Sequence, residues 1–261
     1  LLHRSLWRRL ERVPPRARTG VARALTGLAP GRWDRLARRL DAVLPARLPR
    51  DQFGDKIHKF ADVLSLPDAE SLYRALVSHW SDPATVVLDS TEAPTALTDP
   101  TRRASLPDDT DRMMYLDAIS YLPDDILVKV DRAAMAVSLE TRVPLLDADV
   151  VEFAWRLPRD LKIRGDQGKW LLRQVLYRHV PRELVDRPKM GFGVPIGEWL
   201  RGALRPWAED LLAADTLRRQ GFFEPATIRD RWTDHLSGTR DWKYQLWDVL
   251  MFQAWLESQE T

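Results

Sequence analysis

Apolar residues recur along this chain at helical rather than strand spacing, and polar or proline-containing breaks separate the runs. Residues 2–12, 21–28 and 32–44 read as short amphipathic helices parted by Pro14-Pro15 and Pro30-Gly31. Asp55–Leu64 sets Ile57, Phe60 and Leu64 on one side, and its lone His58 fits a structural role better than a ligand. Asp68–Trp80 is a well-started helix with Leu72, Tyr73, Leu76, Val77 and Trp80 inward. Residues 81–109, rich in Pro, Thr, Asp and Ser, form an irregular loop. Asp111–Tyr121 is helical, and Asp147 is placed to cap a helix over Ala148–Arg156 that buries Val150, Val151, Phe153 and Ala154. Leu161–Ile163 is extended, Gly165–Gly168 turns, and Lys169–His179 is a helix with Leu172, Val175 and Leu176 inward. Arg182–Pro195, with its prolines and glycines, is an ordered loop around Lys189 and Phe192. Helical patterns resume over 196–204, 207–213, 226–236 and 241–258. The last run aligns Leu246, Trp247, Leu250, Met251, Ala254 and Trp255. Alternating strands and internal repeats are missing from the pattern, so the fold class is mostly α.

One stretch organises the rest: Tyr121–Asp147, YLPDDILVKVDRAAMAVSLETRVPLLD. Pro123 suits a first helical position, where its fixed φ and missing N–H cost nothing. Asp124 and Asp125 then fall in the first turn, beside the positive end of the helix dipole. Ile126, Val130, Ala133, Ala134 and Val137 give a face to bury, and Asp125, Lys129 and Arg132 line another. By itself such a stripe reads as a solvated face with one favourable acid–base pair, worth a few tenths of a kcal/mol.

Composition sharpens this only in part. With 261 residues, 44% hydrophobic and 30% charged, the chain has ample material for a core. No run of about 18 apolar residues crosses a membrane, and no signal peptide precedes the first helix. The absence of cysteine excludes disulfides, thiolate metal sites and a cysteine nucleophile from these residues, and a cytoplasmic setting fits best. The start, Leu1-Leu2-His3-Arg4, falls mid-pattern without Met and sets the expectation of a piece of something longer. Charge is lopsided: residues 1–50 hold 13 Arg against Glu11, Asp34 and Asp41, a balance of +10 in a chain of net +2. That segment admits a nucleic-acid arm. Trp7, Leu10, Trp33, Leu36 and Leu40 at helical spacings among the arginines favour ordinary amphipathic helices instead.

Candidate chemistry rests on a few residues. Lys169 opens a helix after Gly168, where a cation and free amides suit a phosphate, or where a lysine is simply exposed. It is no Walker A loop, because Trp170 stands where Ser or Thr belongs. Lys189, on a Pro/Gly loop, can bring a point charge to a phosphoryl group or an acyl adduct, or merely decorate a turn. Glu140, Arg142 and Asp147 flank the exit of the central helix, as a buried ion-pair network or as substrate contacts. The five histidines lie far apart and offer no metal cluster.

Taken in order, YLPDDILVKVDRAAMAVSLETRVPLLD, VVEFAWRLPRDLKIRGDQGKWLLRQVL, RPKMGFGVPIGEWL and the terminal WDVLMFQAWLE closely resemble bacterial glutamine-hydrolysing asparagine synthetases, most densely from about Met113 to Leu200. The resemblance implies a mostly α fold, the C-terminal helical portion of a PP-loop ATP-pyrophosphatase (adenine nucleotide α-hydrolase-like) α/β synthetase domain. It implies a helical connection over 1–110, with the irregular loop at 81–109, and a motif-bearing helical core over 111–261. Family members release ammonia from glutamine in an N-terminal glutaminase domain and adenylate the aspartate side chain with ATP and Mg²⁺; ammonia then displaces AMP. Their SGGxDS and GEGxDE motifs do not occur in this sequence, so ATP and Mg²⁺ are expected to be held chiefly by residues outside it, and these 261 residues alone to be inactive.

Carried over residue by residue, the lysine of the R-x-K-x-G-F pattern is Lys189, which in the family reaches phosphate and adenylate. Asp125, with Asp124 beside it, is nearest to the family carboxylate that holds the amino acid. Lys169 matches G-K-x-x-L-R as a substrate contact or its support. Lys129, Arg132, Glu140, Arg142 and Asp147 match positions of structural character. The implied partners are aspartate, ATP, glutamine-derived ammonia and the N-terminal part of the same protein, with no membrane, and a homodimer is compatible. Rival readings are a β-lactam synthetase-like or macrocycle-forming amide ligase on the same scaffold, and an Arg-rich helical nucleic-acid-binding module.

Overall fold

A computed structural model describes residues 13–39, 53–187 and 193–260. The helix expected over 2–12, the C-terminal part of 32–44 and the loop around Lys189 and Phe192 lie outside the described residues. The chain divides into two units: a larger one of residues 13–103 and 193–260, and a smaller one of residues 104–187, among those described.

The larger unit begins with α1 (Pro15–Thr26), α2 (Pro30–Arg39) and α3 (Phe53–Leu64). Pro15 takes the first position of α1, which therefore starts earlier than the apolar spacing alone indicated. Both α1 and α2 pack on α3. A Cβ at Gly54 would lie 2.0 Å from the Pro30 carbonyl oxygen, so only glycine permits that approach. Asp34 Oδ1 accepts the Gly54 amide at 2.8 Å. The Trp33 indole donates to Leu25 O at 2.9 Å, and His58 Nε2 lies 2.9 Å from Leu28 O, which fixes His58 as a structural donor. Buried Arg18 donates to Leu66 O at 3.0 Å. Next, α4 (Ala69–Val77) is capped by Asp68, whose side chain accepts Ser71 N–H at 2.7 Å. Leu72 and Tyr73 are buried, whereas Leu76 and Val77 remain exposed. The irregular region holds two 3₁₀ turns, Pro83–Thr85 and Pro100–Arg102. It is stitched to the C-terminal part of the unit by Leu88 N–H to Phe222 O and Glu224 N–H to Val86 O, both 2.9 Å.

The smaller unit is dominated by one continuous helical rod: α5 (Asp109–Leu116), a π-helical stretch (Asp117–Leu127) and α6 (Val128–Met135). Pro123 therefore lies inside a helix rather than starting one. The start is fourteen residues upstream, where the Asp108 side chain accepts the Thr110 amide at 2.8 Å and the Asp111 amide at 3.4 Å. The wide π turns explain how proline is accommodated, because its missing N–H removes one rung of a ladder that is already loosened. The rod ends at Ser138, in the left-handed region at φ 59°, with Leu139 N–H returning to Ala134 O at 2.9 Å. A 3₁₀ turn (Pro144–Leu146) leads to α7 (Ala148–Arg156), capped by Asp147 as expected. Then come α8 (Arg159–Lys162) and a two-residue antiparallel hairpin, β1 (Ile163–Arg164) with β2 (Gln167–Gly168). Gly165 turns the hairpin at φ 59°, the first loop position, where a type II′ turn wants glycine. The unit closes with α9 (Trp170–Leu176) and α10 (Arg182–Val185). The extended piece expected at 161–163 is helical up to Lys162, and α9 ends three residues before His179.

The chain then returns to the larger unit as α11 (Ile196–Arg201), α12 (Arg205–Leu211), α13 (Ala214–Gln220), α14 (Pro225–Ser237) and α15 (Lys243–Glu260). Their core includes Leu200, Leu212, Ile228, Trp232, Leu246 and Leu250, all essentially inaccessible to solvent. Each fully buried Leu or Ile contributes about 1.5–3 kcal/mol relative to exposure. Two polar groups in this core find partners: Trp232 Nε1–H donates to Glu209 Oε2 at 2.5 Å, and buried His235 Nε2–H donates to Gly197 O at 3.2 Å. Burial alone would raise the Asp241 carboxyl, but hydrogen bonds with His235 and Lys243 outweigh it and hold the group below the ordinary carboxylate range.

The apolar faces expected to be buried in the smaller unit are not. Among its described residues Leu116 alone is buried, at 1% exposure. Val137 is 74% and Phe153 60% exposed, and Ile126, Val130, Val150, Val151, Leu172, Val175 and Leu176 are exposed as well. Periodicity identified these faces correctly as apolar, but the described residues supply no layer to cover them. A milder version holds in α15, where Leu246 and Leu250 are buried while Met251 and Trp255 stay exposed.

Candidate functional site

The residues singled out for chemistry lie in the smaller unit. Asp124 and Asp125 sit on the π stretch, just past Pro123. Asp125 is half-buried and accepts from Lys129 Nζ at 2.5 Å, one turn on. That hydrogen bond raises the lysine's pKa and keeps it charged. Asp124 is exposed, without an ion pair among the described residues. Helices with π turns are uncommon and concentrate at functional positions, so this geometry singles out a stretch that sequence reasoning had chosen for other reasons.

Lys169 is the N-cap of α9 rather than its first residue, in the left-handed region at φ 56° and ψ 38°. A non-glycine residue there costs on the order of 1 kcal/mol and persists only where the surroundings impose it. The following Trp170 carries the Arg164 guanidinium 3.7 Å from its ring centre, which ties hairpin to helix. The Lys169 side chain is exposed and has no hydrogen-bond partner among the described residues.

The expected buried network at the helix exit does not form. Glu140 pairs with Arg142 at 2.7 Å in open solvent, with both side chains more than two-thirds exposed. Arg132 is exposed, and Asp147 is occupied as a helix cap, its Oδ1 accepting Asp149 N–H at 3.0 Å. The physical reason is local: Glu140 to Val143 is irregular chain past the end of α6, exposed at every position among the described residues.

Sequence reasoning passed over the contacts that do brace this unit. Asp108, already capping α5, also takes the Arg159 guanidinium at the start of α8. The Arg159 hydrogen bond lowers the Asp108 carboxyl to about 2. Asp186, three residues before Lys189, accepts from both Arg173 Nη1 and the Tyr177 hydroxyl at 2.6 Å. Arg173 Nε also donates to Gly168 O at 3.3 Å, so α9, the hairpin and the chain leading to residue 187 share one set of hydrogen bonds. Only the i, i+4 spacing of Arg173 and Tyr177 was visible beforehand; their common acceptor is remote in sequence. Lys189 itself lies outside the described residues.

With this geometry in place, the comparisons become decisive. The family model described as Asparagine synthase matches residues 3–257. The chain belongs to the asparagine synthase family. Among curated relatives, a putative asparagine synthetase [glutamine-hydrolyzing] of Mycobacterium tuberculosis is 39% identical over 145 residues, covering 55% of this chain and 22% of that protein. Asparagine synthetase [glutamine-hydrolyzing] 1 of Bacillus subtilis is 33% identical over 147 residues, 56% of this chain and 23% of its own length. The chicken asparagine synthetase [glutamine-hydrolyzing] is 28% identical over 147 residues. The matched region thus spans 16% to 26% of the length of the curated relatives. No solved structure matches. The family falls in the PP-loop ATP-pyrophosphatase class, and the described residues are mostly helical, as the periodicity indicated. No helix among the described residues is long and apolar enough to cross a membrane. Nor does any group of three or more carboxylate or imidazole side chains converge among the described residues.

Proposed function

We propose that this asparagine synthase family chain supplies the helical C-terminal part of a cytoplasmic glutamine-hydrolysing asparagine synthetase. In that reaction the aspartate side-chain carboxylate attacks the α-phosphorus of ATP, and pyrophosphate leaves. Ammonia from glutamine then attacks the acyl carbon of the adenylate, and AMP leaves. The carrying observation is the family match over residues 3–257, which spans the motifs around Asp125, Lys169 and Lys189 in order. In this reading Lys189 brings a fixed positive charge to the phosphoryl and adenylate oxygens, where charge accumulates in the transition state. Asp125, with Asp124 beside it, holds the amino group of aspartate. Lys169, set at a helix start, supports the phosphate side. The exposed apolar faces of α6, α7 and α9 become internal when the nucleotide-binding α/β part of the same protein packs on them.

The test uses the full-length protein. Lys189→Ala should abolish aspartate-dependent AMP formation and leave glutamine hydrolysis largely intact. Retained synthesis would remove Lys189 from the mechanism. The 261-residue chain by itself should form no AMP from aspartate, ATP and ammonia, because the phosphate-gripping motifs are elsewhere.

A further inference from the structure

From the arrangement of α1 and α2 we infer a second binding function: their outward faces take the phosphodiester backbone of a nucleic acid. Residues 13–39 carry seven arginines against a single acid, Asp34, a balance of +6. Amphipathic spacing alone had favoured ordinary wet helices. Three features of the fold change that balance.

The first is direction. In α1 the buried positions are Arg18 and Ala22, and Arg16 and Arg23, seven residues apart, project from the other side. In α2 the half-buried positions are Trp33, Asp34 and Ala37, while Arg32, Arg35 and Arg39 are exposed on the opposite side. Seven residues advance a helix by about 10.5 Å and nearly restore its angle, so each helix presents a straight basic stripe.

The second is missing counter-charge. The one acid of the region, Asp34, turns inward to accept the Gly54 amide. The guanidinium groups of Arg16, Arg23, Arg32, Arg35 and Arg39 have no ion pair or hydrogen bond among the described residues. Solvated faces elsewhere in the same unit carry their own acids, as in Glu92–Arg74 at 2.7 Å and Asp215–Arg218 at 2.6 Å. An uncompensated row of like charges repels itself, which costs stability unless an anion relieves it.

The third is the character of the stripes. They are guanidinium throughout, the group whose planar fork fits phosphate oxygens two at a time. A bilayer-lying helix would need a broad apolar outer face with aromatics. Here the Trp33 indole is spent on Leu25 O, and the large apolar residues exposed over the described residues 13–39 are Val13, Val21 and Leu36, none of them aromatic. Regularly spaced single charges favour the repeating phosphates of a nucleic acid, bound through its backbone without sequence reading.

The experiment measures fluorescence anisotropy of a short labelled DNA duplex and a short labelled single-stranded RNA with the full chain, across about 50 to 200 mM salt. Binding should fall with salt; three to five engaged phosphates give a log–log slope of about −2.7 to −4.5 on duplex. The combined variant Arg16→Gln, Arg23→Gln, Arg32→Gln, Arg35→Gln and Arg39→Gln should bind at least tenfold more weakly, with a flatter slope and unchanged circular dichroism. Glutamine keeps helix propensity, so loss of fold is not the expected route. No binding at the lowest salt, equal binding by the variant, or association only with phosphatidylserine vesicles would each overturn the inference. The relative strength of the DNA and RNA arms then assigns the natural class. The readout needs neither ATP nor aspartate, so it stands or falls separately from the synthetase reading.

Discussion

The two units obey the same helical periodicity yet end in opposite states. In the larger unit, α11 to α15 close around Leu200, Ile228, Trp232 and Leu250, and the Trp232 indole and the His235 ring have hydrogen-bond partners inside. In the smaller unit, faces of equal apolar quality on α6, α7 and α9 point into solvent, and Leu116 alone is buried among the described residues. An amphipathic pattern therefore records that a face must be covered, not which residues cover it. Contiguous exposed apolar surface on this scale marks an interaction site rather than a finished exterior.

That contrast can be broken most sharply by truncating one aromatic in each unit. Trp232→Ala removes a fully buried ring and its bond to Glu209, and should cost about 3–5 kcal/mol by urea unfolding. Phe153→Ala, on the exposed face of α7, should change the stability of this chain by less than about 0.5 kcal/mol. In the full-length protein the same Phe153 substitution should become costly, and a neutral result there would dismiss the proposed covering of α7.

A smaller effect is expected at the helix caps, which act locally and need no covering layer. Asp147→Ala leaves the first amides of α7 unpartnered and should cost about 1 kcal/mol, read by hydrogen exchange at Asp149 and Val150. Protection unchanged at those amides would remove the cap from the account.

Acid sharpens the comparison further. The Asp108 carboxyl, held by Arg159 and by the amides of Thr110 and Asp111, is lowered from 3.8 to about 2. A depressed carboxyl stabilises the fold above its unfolded pKa, and that contribution is lost as pH falls from about 4 toward 2. Asp108→Asn should flatten the pH dependence of α5 protection in that window. The effect is modest, because both side chains of the pair are more than a third exposed. Smallest of all is Lys129→Ala, which removes an exposed i, i+4 pair worth a few tenths of a kcal/mol. A loss above about 1 kcal/mol would mean that Asp125 and Lys129 belong to a larger network.

What could be read from residues alone follows from the range of each interaction. Caps such as Asp68 and Asp147 were legible because capping acts over three residues. Helices of the larger unit were found wherever apolar residues recurred, and α13 was missed because Leu217 is its single large apolar residue, too few to show a period. Pro123 misled because the usual first-turn preference assumes an α-helix, and the π turns that admit it leave no signature in spacing. The Asp186–Arg173–Tyr177 contacts were invisible because their partners are joined only by folding. The family resemblance carried Asp125, Lys169 and Lys189 as candidates, and the geometry adds the left-handed Lys169 and the π stretch beneath Asp125.

The π stretch also makes the rod tolerant of a change in length. Its turns hold more residues than α turns do, so a single deletion between Asp117 and Leu127 can be absorbed by tightening toward α geometry. The same deletion inside α15 would swing every later side chain by about 100° and pull Leu246 and Leu250 away from their neighbours. One helix of this protein carries slack, and the other has none to give.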